Sequence, residues 1–247
     1  MKNILLLIIL STMLAGCAST SKPNDPTTIG DERDPFEPIN RDMWYFNWDI
    51  LDENVLRPTA VAYSEYVPKP AREGLYNVTL NLEEPATIIN SVLQLKFKKA
   101  GVSTGRFLIN STIGIFGIFD LASEIGLTRE DEDFAQTLGL WGVGYGPYLM
   151  IPARGPSTVR GTVGDVVDGM YFPLALIEFW PNMLRLSVNA LETRSQLMEQ
   201  EKLLYESLDP YSFMKEIYFQ KEDFQLFDGN VPIEEEAEEF PEGALDY

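Results

Sequence analysis

The sequence has no histidine and a single cysteine in 247 residues. Without histidine no Ser-His-Asp or Cys-His nucleophile can be assembled, and the commonest zinc ligand is missing. With one thiol, Cys17, no internal disulfide can form. Basic residues are scarce too: 19 Lys and Arg stand against 38 Asp and Glu, a formal charge of −19. That balance argues against nucleic acid as a partner. It also means that contact with an anionic lipid surface must come from apolar burial rather than from basic patches. No apolar run reaches the roughly 20 residues that cross a bilayer, and no stretch alternates convincingly enough to predict a barrel. G-x-S-x-G is absent, Gly155-Pro156-Ser157 matching only its first half, and no phosphate-cradling Gly-Lys-Ser/Thr follows the glycines near residue 142. Esterase and nucleotide-driven chemistry therefore have no motif to rest on, and the chain reads as a non-enzyme with no cofactor and no metal.

The amino terminus is informative. Lys2, an apolar run from Ile4 to Leu10 and then Leu14-Ala15-Gly16-Cys17 form a short secretory leader, too short to remain as a span. Leu-Ala-Gly-Cys resembles a bacterial lipobox at every position. In that class of signal the cysteine carries a diacylglyceryl thioether and, after cleavage, an N-acyl chain. At about 0.8 kcal/mol per buried methylene, three acyl chains hold a protein to a membrane almost permanently. Ala18 follows the cysteine, and the lack of Asp there resembles lipoproteins sorted to the outer membrane. Residues 1–16 are thus a signal peptide and 17–35 a small, polar, proline-rich tether with too little apolar surface to order. Residues 228–247 hold eight acidic residues and no basic one, the pattern of a solvated tail or of a docking site for a basic partner.

The remaining segment, 36–227, is long enough for one domain, and its apolar spacing is mostly helical. Asn40 or Asp42 is expected to cap a helix carrying Met43 to Leu51 and ending before Pro58. Ala71 to Phe97 predicts two helical pieces broken at Glu83-Glu84-Pro85. Two short apolar runs, Phe107–Phe119 and Met170–Trp180, suit either a buried core helix or a helix lying part-way into a bilayer. Met183 to Leu208 predicts one amphipathic helix, about 39 Å long at 1.5 Å per residue. Between them, the glycines and prolines from Gly139 to Gly169 predict an irregular apolar loop around Tyr145, Tyr148, Leu149, Met150 and Ile151, delivering Ser157 to a helix N-terminus. Glu130 to Asp133 lacks EF-hand spacing and reads as a solvated acidic loop. Asp165 and Asp168, three apart on a predicted helix, are either an acid/base pair or partners of nearby donors such as Arg154 and Arg160.

Eight segments, in order, carry a resemblance: Asp34 to Arg41, Asp52 to Pro58, Tyr66 to Arg72, Asn81 to Pro85, Arg106 to Gly114, Gly139 to Tyr148, Glu192 to Arg194 and Asp209 to Tyr211. Together they resemble the MlaA (VacJ) outer-membrane lipoproteins over nearly the whole predicted domain. The resemblance implies an all-α fold, a ring-like bundle of short amphipathic helices in the inner leaflet of the outer membrane, reached from the periplasmic side of a Gram-negative envelope. It implies association with a trimeric porin and removal of misplaced outer-leaflet phospholipid through a central amphipathic channel to a periplasmic phospholipid carrier (MlaC-like). By match to the family's channel and gating loop, the candidate residues are Tyr45, Phe46 and Asn47, with Gly142, Gly144, Tyr145, Gly146 and Pro147. Arg106 and Arg154 are candidate headgroup contacts, with ordinary ion pairing as the alternative for each. A scaffold lipoprotein without transport activity is the competing reading.

Overall fold

The computed structural model describes residues 31–232, Glu199 excepted. The predicted leader, Cys17 and the chain to residue 30 lie outside the described residues, as does the acidic run from residue 233. From residue 33 onward the chain is mostly helical, as expected, with α1 (Glu37–Tyr45), a π segment (Phe46–Leu56), α2 (Arg57–Tyr66), α3 (Lys69–Leu93), α4 (Phe97–Thr112), α5 (Leu121–Glu124) and α6 (Phe134–Leu140). A hairpin of β1 (Tyr148–Ile151) and β2 (Gly155–Thr158) follows, then α7 (Val159–Asp168), a 3-10 turn (Leu174–Leu176), α8 (Phe179–Leu197), α9 (Glu201–Tyr205) and α10 (Pro210–Leu226).

Several boundaries differ from expectation, each for a local reason. Asn40 does not cap the first helix; it lies inside α1, which starts with Glu37 and Pro38 in its first turn. Pro58 does not end that helix either. The π winding, in which Arg57 N–H reaches back five residues to Asp52 C=O, hands over to α2 at this point, and Pro58 falls in the first turn of α2, where a missing donor is tolerated. Pro85 lies within α3 without breaking it. The run at 107–119 is not one helix: α4 stops at Thr112, and Ile115, Phe116 and Gly117 take left-handed torsions in a tight turn that Gly117 N–H closes on Asn110 C=O at 2.8 Å. The long helix expected over 183–208 is broken between Leu197 and Glu201. The Gly139–Gly169 stretch is more regular than its composition suggests, because β1 and β2 pair antiparallel with Tyr148 opposite Thr158. Its helix, α7, is capped by Thr158 rather than Ser157, Thr158 Oγ1 accepting from Gly161 N–H at 3.0 Å.

The interior reverses the usual partition. Among the described residues, twelve apolar side chains are buried against twenty-two polar or charged ones, whereas interiors are ordinarily apolar. An apolar cluster is formed by Tyr148 and Met150 of β1 with Tyr211 and Phe219 of α10, flanked by Met43, Trp44, Tyr145 and Tyr218. Elsewhere helices meet through polar and small groups. The face of α3 holding Asn81, Glu84, Thr87, Asn90 and Ser91 is buried, as is that of α4 holding Ala100, Ser103, Arg106 and Asn110. Charged pairs lace the bundle: Glu84 with Arg106 at 2.7 Å, Asp52 with Arg194 at 2.6 Å, Asp34 with Lys215 at 3.1 Å. The large apolar side chains point out instead. Phe116 and Trp180 are each 78 % exposed, and Leu108, Ile113, Ile115, Phe119, Met170, Phe172 and Phe179 are exposed with them. Both predicted apolar runs are therefore outer surface, and the buried-core alternative for them falls away. No described helix is long and apolar enough to cross a membrane.

Candidate functional site

The hairpin is where the candidate residues converge, and asparagines hold it. Asn40, buried in α1, donates to Tyr148 C=O at 3.0 Å and accepts from Met150 N–H at 2.9 Å. Its amide also donates to Asp34 at 2.7 Å, and Tyr148 N–H donates to Arg33 C=O at 2.7 Å. Seven residues on, Asn47 treats the hairpin turn the same way, donating to Ile151 C=O at 2.9 Å and accepting from Ala153 N–H at 2.7 Å. A free strand edge is a row of unpaired donors and acceptors. Here two side-chain amides act as the missing strand, the edge of β1 away from β2 being taken by α1 and the π segment. Tyr45 and Phe46, beside Asn47, remain exposed.

The loop 142–147 meets the other end of the hairpin. Its start is the turn closing α6, where Gly142 N–H donates to Gly139 C=O at 2.9 Å with Gly142 at φ 87°. Its end is tied to α7, Val159 N–H donating to Pro147 C=O at 3.1 Å, while Gly146 at φ 66° sits against Val159. Between them Tyr145 turns inward. Its hydroxyl bonds Asp223 of α10, its ring meets Phe219 edge-on at 5.4 Å, and burial together with Asp223 pushes its phenol up to about 12. Gly144 has open space around the position of a Cβ. The triplet 45–47 and the loop 142–147 thus engage one hairpin at opposite ends.

The two arginines have separate fates. Arg106 is buried on α4 with four of its five N–H groups engaged: Nε to Glu84 at 2.7 Å, Nη1 to Ser123 at 2.9 Å and to Leu127 C=O, Nη2 to Asp120 at 3.1 Å. The side chain is only 2 % exposed, and ion pairing with Glu84 and Asp120 is the role these contacts give it. Arg154, beside the hairpin turn, pairs with Asp165, and both side chains are substantially exposed. Asp165 and Asp168 do not act on a common group. Asp168 faces inward and accepts from Asn90 at 2.7 Å and from Phe134 N–H at 3.0 Å, and burial pushes its carboxyl up to about 6. The acidic loop is likewise structural in part: Glu132 is buried and bonded to Lys96 at 3.0 Å and to Lys99. Asp228, placed by composition in the solvated tail, accepts from Lys96 and Lys99 at 2.9 and 2.6 Å. Among the described residues no group of three His, Cys, Asp or Glu side chains is arranged to hold a metal.

Sequence reasoning missed the role of Asn40 and that of Asp223, and took Arg160 only as a partner for the α7 carboxylates. Arg160 is in fact the cation under the loop, 4.0 Å from the centre of the Tyr145 ring. The sequence read Asn40 only as a candidate helix cap, and its bonds to a hairpin more than a hundred residues away leave no local signal.

A polar, ion-paired interior beneath broad exposed apolar faces defines the class, a mostly helical protein whose outer surface suits contact with lipid. Within that class its membership is specific: the chain belongs to the MlaA lipoprotein family, whose model matches residues 32–225. It is 40 % identical over 228 residues to the intermembrane phospholipid transport system lipoprotein MlaA of Escherichia coli (strain K12), covering 91 % of this chain and 89 % of that protein. The protein of the same name from Haemophilus influenzae is 34 % identical over 252 residues, 99 % of this chain and 97 % of its own. A solved chain described under "Structural basis for maintenance of bacterial outer membrane lipid asymmetry" superposes with a TM-score of 0.75 at 42 % identity, over 78 % of this chain and 98 % of that one.

Proposed function

We propose that this protein is an outer-membrane lipoprotein that removes phospholipids misplaced in the outer leaflet and passes them, through a central channel, to a periplasmic phospholipid carrier. The observation that carries this reading is the inverted partition of side chains in a member of the MlaA family. Exposed faces such as 113–119 and 170–180 supply apolar area for acyl chains. The charged and amide groups turned inward pair with one another and so hold helices together beneath that surface, since an unpaired polar group in hydrocarbon costs several kcal/mol. The names of the relatives, an intermembrane phospholipid transport system lipoprotein, supply the substrate and direct it between membranes. The protein moves lipid without covalent chemistry and leaves energy coupling to partners.

In this reading Cys17 is the lipidated residue and 17–35 its tether, 36–227 arranges its helices as a ring in the inner leaflet, and a trimeric porin is the neighbour in the membrane. The hairpin with Tyr45, Phe46 and Asn47 at one end and loop 142–147 at the other lines or gates the channel. Headgroup contact falls to Arg154, exposed beside the hairpin turn, rather than to Arg106.

The test compares outer-leaflet phospholipid in cells lacking the gene with cells re-expressing either the intact chain or a Gly144→Pro variant shown by circular dichroism to be folded. Loss of the gene should raise surface phospholipid, with only the intact chain restoring it. Surface lipid that never changes would leave the scaffold reading in its place.

A further inference from the structure

We infer that Arg160 is the positioning residue that sets the place of loop 142–147, and so the state of the passage it borders. This rests on the reading of that loop as a gate.

The backbone of the loop is tied at its two ends, by Gly142 N–H to Gly139 C=O and Val143 N–H to Leu138 C=O, both at 2.9 Å, and by Val159 N–H to Pro147 C=O at 3.1 Å. At Gly142 and Gly144 a Cβ would meet nothing within 4 Å, and Trp141 and Val143 are exposed. Between those ends the loop is placed by Tyr145, bonded to Asp223, and by one residue that takes two of its carbonyls. Arg160 Nη1 donates to Val143 C=O at 3.1 Å, and Arg160 backbone N–H donates to Tyr145 C=O at 3.0 Å. The guanidinium plane also lies 4.0 Å from the centre of the Tyr145 ring, where a cation is attracted to the aromatic face. Glu222 of α10 balances its charge at 3.7 Å, with the Arg160 side chain only 3 % exposed. Room for this is cut into α6: a Cβ on Gly139 would stand 2.8 Å from Arg160 Nη1. Carbonyl, ring, counter-charge and a glycine-sized recess all meet a single guanidinium, brought in on α7, the helix that follows the hairpin.

Lysine cannot reproduce that set. Its ammonium is a compact point charge on a flexible stem, and it lacks the planar fork that can stack on a ring while donating sideways. Arg160→Lys therefore keeps the positive charge facing Glu222 and the backbone bond to Tyr145 C=O, and with them the fold, while giving up the guanidinium contacts to Val143 C=O and the Tyr145 ring. The same loss should follow in a milder form in Tyr145→Phe, which keeps the ring under the guanidinium but removes the hydroxyl bonded to Asp223.

The experiment pairs hydrogen exchange with surface lipid. Full-length Arg160→Lys is compared with the intact chain in detergent, following amides 142–146 against those of α3 and α4. Expected is a roughly tenfold or greater loss of protection confined to the loop, since hydrogen bonds from charged donors are among the stronger ones. In cells, surface phospholipid should rise to a level between the intact and gene-less strains although Arg160→Lys is present in equal amount. Unchanged exchange at 142–146 overturns the inference. So does a loosened loop with surface phospholipid at the intact level. If removing the gene leaves surface lipid unaltered, the gate reading itself has failed, and exchange alone decides whether Arg160 positions the loop.

Discussion

Asn40 shows how much one side chain can carry when it replaces part of a sheet. It makes bonds to Asp34, to Tyr148 C=O and from Met150 N–H while only 3 % exposed. Asn40→Ala strands two backbone groups and takes one partner from Asp34, which keeps Lys215 and the Tyr211 hydroxyl, and each unsatisfied buried group costs about 1–3 kcal/mol. The expected loss is roughly 2–4 kcal/mol in denaturant unfolding; a loss below about 1 kcal/mol would mean that the edge of β1 is held by other groups. Asp168 makes a prediction in pH. Its carboxyl is pushed up to about 6, loss of hydration outweighing the bonds from Phe134 N–H and Asn90. A raised acid stabilises the fold while protonated, below its ordinary value near 4, and that contribution is lost as pH rises through about 6. Asp168→Asn has no such titration. The difference in Tm between variant and intact chain should move in the variant's favour by a few degrees between about pH 4.5 and 7.5, and parallel shifts at both pH values would show that Asp168 is not the titrating group.

The elements divide into those whose limits are set by neighbouring residues and those whose limits are set from outside. Caps at Asp120, Asp133 and Asp209 are local, each accepting a backbone N–H two or three residues on. The 113–119 turn is not local in that sense. Its Gly117 adopts φ 92° with a Cβ position 2.6 Å from Asn81 Cβ on another helix, so the turn exists because α3 lies beneath it. Gly117→Ala should therefore destabilise by about 1–3 kcal/mol, from left-handed strain plus overlap. Gly144→Ala, with open space around it, should stay within about 0.5 kcal/mol. Thermal melting of both distinguishes them, and equal effects would contradict the packing of the turn on α3. The unbroken α3 has the same kind of origin. Pro85 alone predicts a break, but Glu84, Thr87, Asn90 and Ser91 flank it on the face buried in the bundle, and tertiary packing overrides the local cost.

At the scale of the molecule, what matters is which surface meets lipid. Phe116, 78 % exposed on the 113–119 turn, tests this directly. Phe116→Asp should leave the fold intact in detergent, because little packs on that ring. It should weaken membrane association, since a charged side chain in the hydrocarbon region costs about 2.5–3.5 kcal/mol. Flotation of vesicles carrying a form without the lipid anchor reads the effect; unfolding in detergent would show instead that Phe116 is packed.

Much of this protein was determined by residues acting at short range. Absent histidine bounded the chemistry, helical spacing predicted the class of fold, and eight short segments in order identified the family. The face that each helix turns inward was not determined in that way. A short apolar run such as Phe107–Phe119, or an amphipathic period such as Met183–Leu208, reads the same whether its apolar side faces a core or a bilayer. Only the tertiary structure chose, by placing Asn81, Glu84, Asn90, Arg106 and Asp168 where they satisfy one another or their neighbours and leaving Leu108, Ile115 and Phe116 outside. The physical reason is that an ion pair or amide contact needs a partner far away in the chain, and such partners are brought together by the fold alone. An apolar side chain needs only to leave water, and lipid serves it as well as a core.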